Sequence, residues 1–169
     1  MPPILTMTVE MKTDWPEFDD IACRLDGQAA LTEMVRVIAN ALDVDVCSIY
    51  ALESRQLELV LAATMGLNQD SIGRVRMPPE EGLVGLVAQE LQPVLVDDAV
   101  AHPRFRYSEE AGEDPFVCFF GVPLLYRGSL CGVLVIQTAE PRDLFELWPS
   151  VATAAQAIAT TLLGEVVVP

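Results

Sequence analysis

The residues able to do chemistry are few, and their spacing argues against most of the chemistry they could do. His102 and Lys12 are each the single residue of their type. A phosphate-binding loop needs a glycine-rich turn ending in Lys-Ser or Lys-Thr, and Lys12 sits in no such context. A Ser-His-Asp triad could draw only on His102, and the chain has no G-x-S-x-G elbow. The four cysteines, Cys23, Cys47, Cys118 and Cys131, lie far apart with no C-x-x-C pair. One histidine cannot complete a typical Cys/His zinc site, although four scattered thiolates could in principle. Reduced thiols in a core are the simpler reading. No catalytic residue, metal site or cofactor is expected.

The formal charge is −15, from 25 acidic and 10 basic residues. Such a surface repels phosphate backbones and anionic lipid, so neither nucleic acid nor a membrane is an expected partner. No run of about 18 apolar residues is present. The N-terminus has no basic region before its apolar stretch, unlike a signal peptide. A cytoplasmic location is expected. At 169 residues, 51% of them apolar, the chain can bury one core without disulfides or metals.

The elements that must hold any site follow from periodicity. Asp14, Pro16 and Glu17 suggest a capped helix start, with the helix running to Leu25 before Asp26-Gly27. Over 28–42, Leu31, Met34, Val35, Ile38 and Leu42 recur at spacings of three and four, as on one helix face. Residues 44–50 are β-branched and aromatic, and predict a strand. Residues 56–64 predict its antiparallel partner across a short polar turn. A short extended piece at 74–77, a helix from Gly82 to about Leu91 and a strand at 93–97 follow. The apolar runs 116–126 and 130–138 flank Arg127-Gly128-Ser129, the clearest hairpin signal. Leu144, Leu147, Val151, Ala154, Ala155, Ile158 and Leu162 then share a helical face, and the helix starts near Pro149. This order implies an α+β fold with a mostly antiparallel sheet and the terminal helices together on one face. The other face falls to the loops 65–81 and 98–115, and long loops over a sheet commonly mark a site.

Three segments carry a resemblance. VDVCSIYALESRQLELVLAATMGLNQDSIG, RVRMPPEEGLVGLVAQELQPVLVDDAVAHPRFRY and FFGVPLLYRGSLCGVLVIQ, in order, resemble the GAF domain family. The match is nearest to the N-terminal sensory domains of nitrogen-type phosphoenolpyruvate-protein phosphotransferases, and covers roughly residues 18–163. It implies a sheet of about six strands, the first and last helices on one face, and a ligand cavity on the other. The division expected is an N-terminal extension at 1–13, the domain at 14–163 and a tail at 164–169. The phosphorylated-histidine segment of such enzymes is missing, so the chain resembles an excised or free-standing regulatory module. It would sense nitrogen status by binding a small metabolite, an amino acid or a 2-oxo acid. A homodimer through the terminal helices is also implied.

The expected ligand-binding residues are Ser48, Tyr50, Leu83, Val84, Arg106, Tyr107, Cys118 and Phe120. Alternation puts Val44, Val46, Ser48 and Tyr50 on one face of the first strand, opposite Cys47 and Ile49. The family's positions matching Ser48 and Tyr50 face the cavity. The helix start Gly82-Leu83-Val84-Gly85 offers free amides that could hold a carboxylate or phosphate, or it simply packs small residues on the sheet. Cys118 and Phe120 would floor the cavity, with plain core packing an equal reading for Phe120. Arg106 and Tyr107 fall in the covering loop, where Arg106 could meet an anion or pair with Glu109 and Glu110.

Departures from relatives narrow the ligand. Gln137-Thr138-Ala139-Glu140 lacks the lysine of cyclic-nucleotide-binding GAF domains. No Cys-His pair exists for a bilin. Val84 stands where free-methionine-sulfoxide reductases place a cysteine. Two alternatives remain beside the sensor: a dimerisation module with a vestigial pocket, and a thiol enzyme of that reductase type.

Overall fold

A computed structural model describes residues 14–106 and 116–166, with side chains to residue 162. The expected extension 1–13 and Tyr107 lie outside the described residues. The elements are α1 (Pro16–Arg24), α2 (Gly27–Leu42), β1 (Val46–Glu53), β2 (Glu58–Met65), β3 (Arg76–Met77), α3 (Gly82–Glu90), β4 (Val94–Val96), β5 (Cys118–Tyr126), β6 (Ser129–Thr138) and α4 (Trp148–Val166). Short 3₁₀ turns at Gln69–Ser71 and Leu144–Leu147 precede β3 and α4.

The six strands form one sheet in the order β3-β2-β1-β6-β5-β4, with every neighbouring pair antiparallel. The β5–β6 hairpin closes through Arg127 and Gly128, at φ 49° and 79°. Two successive positive φ values match the right-handed twist of the strands, which is why glycine is favoured there.

The helical stripes predict one face of the sheet well. Leu31, Met34, Val35, Ile38 and Leu42 of α2 are buried, as are Val151, Ala154, Ala155, Ile158 and Leu162 of α4. They pack with Cys47, Ile49, Phe120, Leu134 and Ile136 into one core. Each large aliphatic side chain so buried contributes about 1.5–3 kcal/mol. α1 is pinned by Trp15, whose indole Nε1 donates to the Ser150 carbonyl at 2.8 Å and whose ring stacks on Phe18.

Two local expectations fail. The N-cap of α1 is Trp15 with no side-chain cap bond, so Asp14 does not cap it. Val44 lies outside β1 and packs with the helical core; its amide donates to the Ala39 carbonyl at 3.2 Å, closing α2 behind Asp43 at φ 52°. Alternation therefore starts only at Val46.

The opposite face carries a second core, built from Val46, Tyr50, Leu59, Leu61, Phe119, Val133 and Val135 under Leu83, Val84 and Val87 of α3. The loops flanking α3 complete it through Leu67, Val75 and Ala99.

Candidate functional site

On this second face a small cavity sits between the sheet and the N-terminal end of α3. Its floor is Tyr50 of β1, Phe119 of β5, and Val135 and Gln137 of β6. Its walls are Val75 and Met77 on one side, Gly82, Leu83 and Val84 on another, and Phe105 and Arg106 on the third. The volume is about 70 Å³. Cavities that take drug-sized ligands run to roughly 300–1,000 Å³, so this one suits only a very small molecule unless its walls part.

Its geometry follows from local chain constraints. Gly82 takes φ +70°, and a Cβ there would meet Met77 Sδ at 3.6 Å and Arg106 Cβ at 3.9 Å. It therefore serves both the turn into α3 and the cavity wall. Gly85 has another reason to be small: a Cβ there would lie 2.5 Å from the Pro79 carbonyl oxygen. It packs the helix on the preceding loop. Glu81, the N-cap of α3, makes no side-chain cap bond, and the first-turn amides of a helix have no partner within it. The loop carrying Phe105 and Arg106 is held by Arg104, which donates to Gln89 Oε1 at 2.9 Å and to the Pro79 carbonyl at 3.3 Å. His102 Nδ1 accepts from the Arg104 amide at 3.0 Å, which gives the lone histidine a structural task.

The lining side chains are apolar except for those of Tyr50, Gln137 and Arg106. Arg106 pairs with Glu81 at 3.5 Å, with side chains 66% and 46% exposed. An ion pair so open to water is worth about 0–1 kcal/mol. A ligand carboxylate can compete for that guanidinium. Among the described residues no group of histidine, cysteine and carboxylate side chains is placed to hold a metal ion.

Of the eight residues expected around a ligand, Tyr50, Leu83, Val84 and Arg106 line this cavity. Ser48 shares the face of Tyr50 but is not in the wall. It is fully buried, and its Oγ lies 2.8 Å from Thr64 Oγ1 on β2, so its hydroxyl is spent within the sheet. Cys118 and Phe120 are corrected: both face the helical core, and Phe119 occupies the place foreseen for them. Phe120 meets Trp148 edge-on at 6.2 Å. Cys118 Sγ lies 3.5 Å from the Arg142 carbonyl and accepts from the Arg142 amide at 3.4 Å. Sequence reasoning missed Val75, Met77, Phe105, Phe119, Val135 and Gln137. The one available signal was Gln137, a polar residue closing an apolar strand.

None of the cavity residues is a cysteine. Complete burial pushes the Cys47 thiol far above its ordinary range, and partial burial raises that of Cys131. Neither is activated as a nucleophile, since the thiolate is the reactive form.

A six-stranded antiparallel sheet with terminal helices on one face and a cavity under a glycine-started helix on the other is the architecture of the GAF fold. The GAF domain model matches residues 26–163, and the chain belongs to that family. The chain is similar to the GAF domain of the Acinetobacter phosphoenolpyruvate-protein phosphotransferase, with 34% identity, a TM-score of 0.77, and coverage of 86% of this chain and 87% of that one. It is equally similar to the corresponding domain from Coxiella burnetii, at 31% identity and TM-score 0.78, covering 86% of this chain and 88% of that one. A curated relative from Escherichia coli (strain K12), described as "Phosphoenolpyruvate-dependent phosphotransferase system", is 37% identical over 117 residues. That alignment covers 69% of this chain but only 16% of the relative. The free methionine-R-sulfoxide reductase of Neisseria meningitidis shares the fold, with 23% identity, a TM-score of 0.72, and coverage of 86% of this chain and 83% of that one. No helix of the described residues is long and apolar enough to cross a membrane.

Proposed function

We propose that this chain is a regulatory domain that binds a small carboxylate metabolite, of the amino-acid or 2-oxo-acid class, and performs no reaction itself. Its place would be in a cytoplasmic phosphoenolpyruvate-protein phosphotransferase, where the bound metabolite reports nitrogen status. The observation that carries the reading is the polarity of the cavity. Apolar walls include Gln137, with its carboxamide, and the start of α3, whose N-cap makes no side-chain bond, while Arg106 stands at the open rim with its exposed guanidinium beside Glu81. That set recognises a short anion with an apolar or amide-bearing body. The similarity to phosphotransferase GAF domains supports the setting.

The small volume favours one competing reading, a vestigial pocket in a module that only transmits or dimerises. A thermal-shift series with amino acids, 2-oxo acids and nucleotides separates the two. Ligand at a hundredfold excess over its dissociation constant stabilises the fold by about 2.7 kcal/mol. The sensor reading expects a saturable rise in melting temperature with a member of the carboxylate classes, such as glutamine or 2-oxoglutarate, lost in Arg106→Gln. No shift with any member favours the vestigial pocket. A thiol reductase is disfavoured by the placement of Cys47 and Cys118 in the helical core. Turnover of free methionine sulfoxide, abolished by Cys→Ser replacement at 47, 118 or 131, would restore it.

A further inference from the structure

β4 begins its pairing only at Val94, opposite Gly121, so β5 from Val122 to Tyr126 has no strand on its outer side among the described residues. Between this bare length and the first half of α4 lies a groove of about 260 Å³. Its lining includes Leu91, Pro93, Leu125, Trp148, Ala152 and Gln156, and no charged side chain. Leu91 and Leu125 are 48% and 38% exposed. Apolar side chains gathered around one open groove mark an interaction surface more than isolated ones do.

We propose that the occupant of this groove is the chain's own N-terminal segment, residues 4–11, laid across α4. The place where the segment joins the domain is the first reason. Trp15 is fixed to α4 through the Ser150 carbonyl, two residues from both Trp148 and Ala152 of the groove. Half the girth of a helix with its side chains is about 16–19 Å, and six extended residues span about 20 Å. Residues 8–13 therefore suffice to carry the chain round α4, and residues 4–7 reach the groove. The second reason is pattern. Leu5, Met7, Val9 and Met11 alternate with Thr6, Thr8, Glu10 and Lys12. An extended chain of that sequence has one apolar face and one polar face, as a groove open to water on one side requires. The third is charge. In a chain of net −15, no charged side chain occurs from Met1 to Val9 or from Trp148 to Gly164. The exposed positions over which the segment would cross are Pro149, Thr153, Gln156 and Thr160, all neutral. The C-terminal residues are the poorer occupant, because α4 runs on to Val166, about 24 Å beyond Ser150, and carries them away from the groove. Docked, the segment covers apolar surface that would otherwise invite association. The inference does not depend on the sensor reading, because the cavity lies on the opposite face of the sheet.

Lys12 is the single lysine, so a lysine-specific protease has one site in the whole chain, at the base of the segment. Cleavage there tracks the fraction of molecules in which the segment is lifted. Met7→Asp and Leu125→Asp, one on each side of the proposed contact, should each speed the release of residues 1–12 about tenfold or more. Leu57→Asp, at a 62% exposed site in the β1–β2 turn, should leave the rate unchanged. Rates should also agree at about 1 and about 100 µM chain, since a contact within one molecule is indifferent to concentration. Circular dichroism melting of each variant confirms that it is folded. Indifference of the rate to either Met7→Asp or Leu125→Asp overturns the proposal. So does a rate that falls as the chain is concentrated, which would give the groove to a second copy.

Discussion

Adjacent phenylalanines divide the labour of β5. Phe119 faces the cavity, and Phe120, fully buried, faces α4. Phe120→Ala should cost about 3–5 kcal/mol, the usual loss for a large core aromatic, measured as a lower urea midpoint. The cavity floor would keep all its members, so any metabolite bound by the native chain should bind the folded variant with unchanged affinity. Phe119→Ala should instead enlarge the cavity and change that affinity. Cys47 makes a separate prediction. Its thiol stays protonated in the fold because burial disfavours the thiolate, while in the unfolded chain it ionises near its ordinary value. Below about pH 8.5 both states hold the proton and nothing changes. Above it only the unfolded state releases the proton, so stability falls as pH rises. Cys131, shifted the same way, adds to the slope. Urea unfolding at pH 7 and pH 10 (about three units spanning the thiol range) should show a smaller alkaline loss in Cys47→Ala than in the native chain.

The central strands β1 and β6 approach each other so closely at Gly132 that a Cβ there would sit 2.2 Å from the Tyr50 carbonyl oxygen. Backbone cannot yield as a side-chain tip can. Gly132→Ala should therefore destabilise by about 1–3 kcal/mol, with slower-protected β1 amides in hydrogen exchange becoming faster. Tyr50 itself is in the cavity floor, so the same variant should also perturb ligand binding. Elements of this kind were partly legible in the sequence. α2 and α4 could be placed with their buried faces because one side of each helix meets water, and the period of 3.6 survives. β5 could be placed but not oriented. From Cys118 to Leu124 every residue is buried, so alternation has no polar partner to reveal which face looks where. That is why Cys118 and Phe120 were assigned to the cavity in place of Phe119. Tyr50 was legible through the family pattern, Leu83 and Val84 through the glycine-started helix, and Arg106 through its place in the covering loop. Val75, Met77 and Phe105 were not, because residues from irregular segments join a site only through the tertiary path of the chain. Ser48 failed for a different reason: the strand face was right, but Thr64 across the ladder claims its hydroxyl.

At the scale of the whole molecule, charge is the dominant unspent term. Ion pairs do exist: Arg24 with Asp20, Arg36 with Glu33, Arg76 with Glu53 and Glu58, and Arg106 with Glu81. All are on the surface, and each such pair is worth about 0–1 kcal/mol. Against them stands self-repulsion from a net −15. Salt weakens both terms, but they differ in range. The pairs act at contact distance, whereas the excess carboxylates act across the molecule, beyond the Debye length of about 10 Å at 0.1 M. Screening therefore relieves more repulsion than it removes attraction. Thermal unfolding at sub-micromolar protein, dilute enough that self-association contributes little, should show the melting temperature rising between about 10 and 200 mM sodium chloride. A falling melting temperature would mean that the arginine pairs outweigh the net charge. Replacing Arg76, which bridges two carboxylates at the β1–β2–β3 edge, with glutamine should then abolish the fall. The same screening bears on the cavity, whose one guanidinium must draw an anion toward an acidic protein. Carboxylate affinity should change little with salt if the local pull of Arg106 and the repulsion of the whole chain cancel. It should rise with salt where repulsion dominates, which the net charge favours.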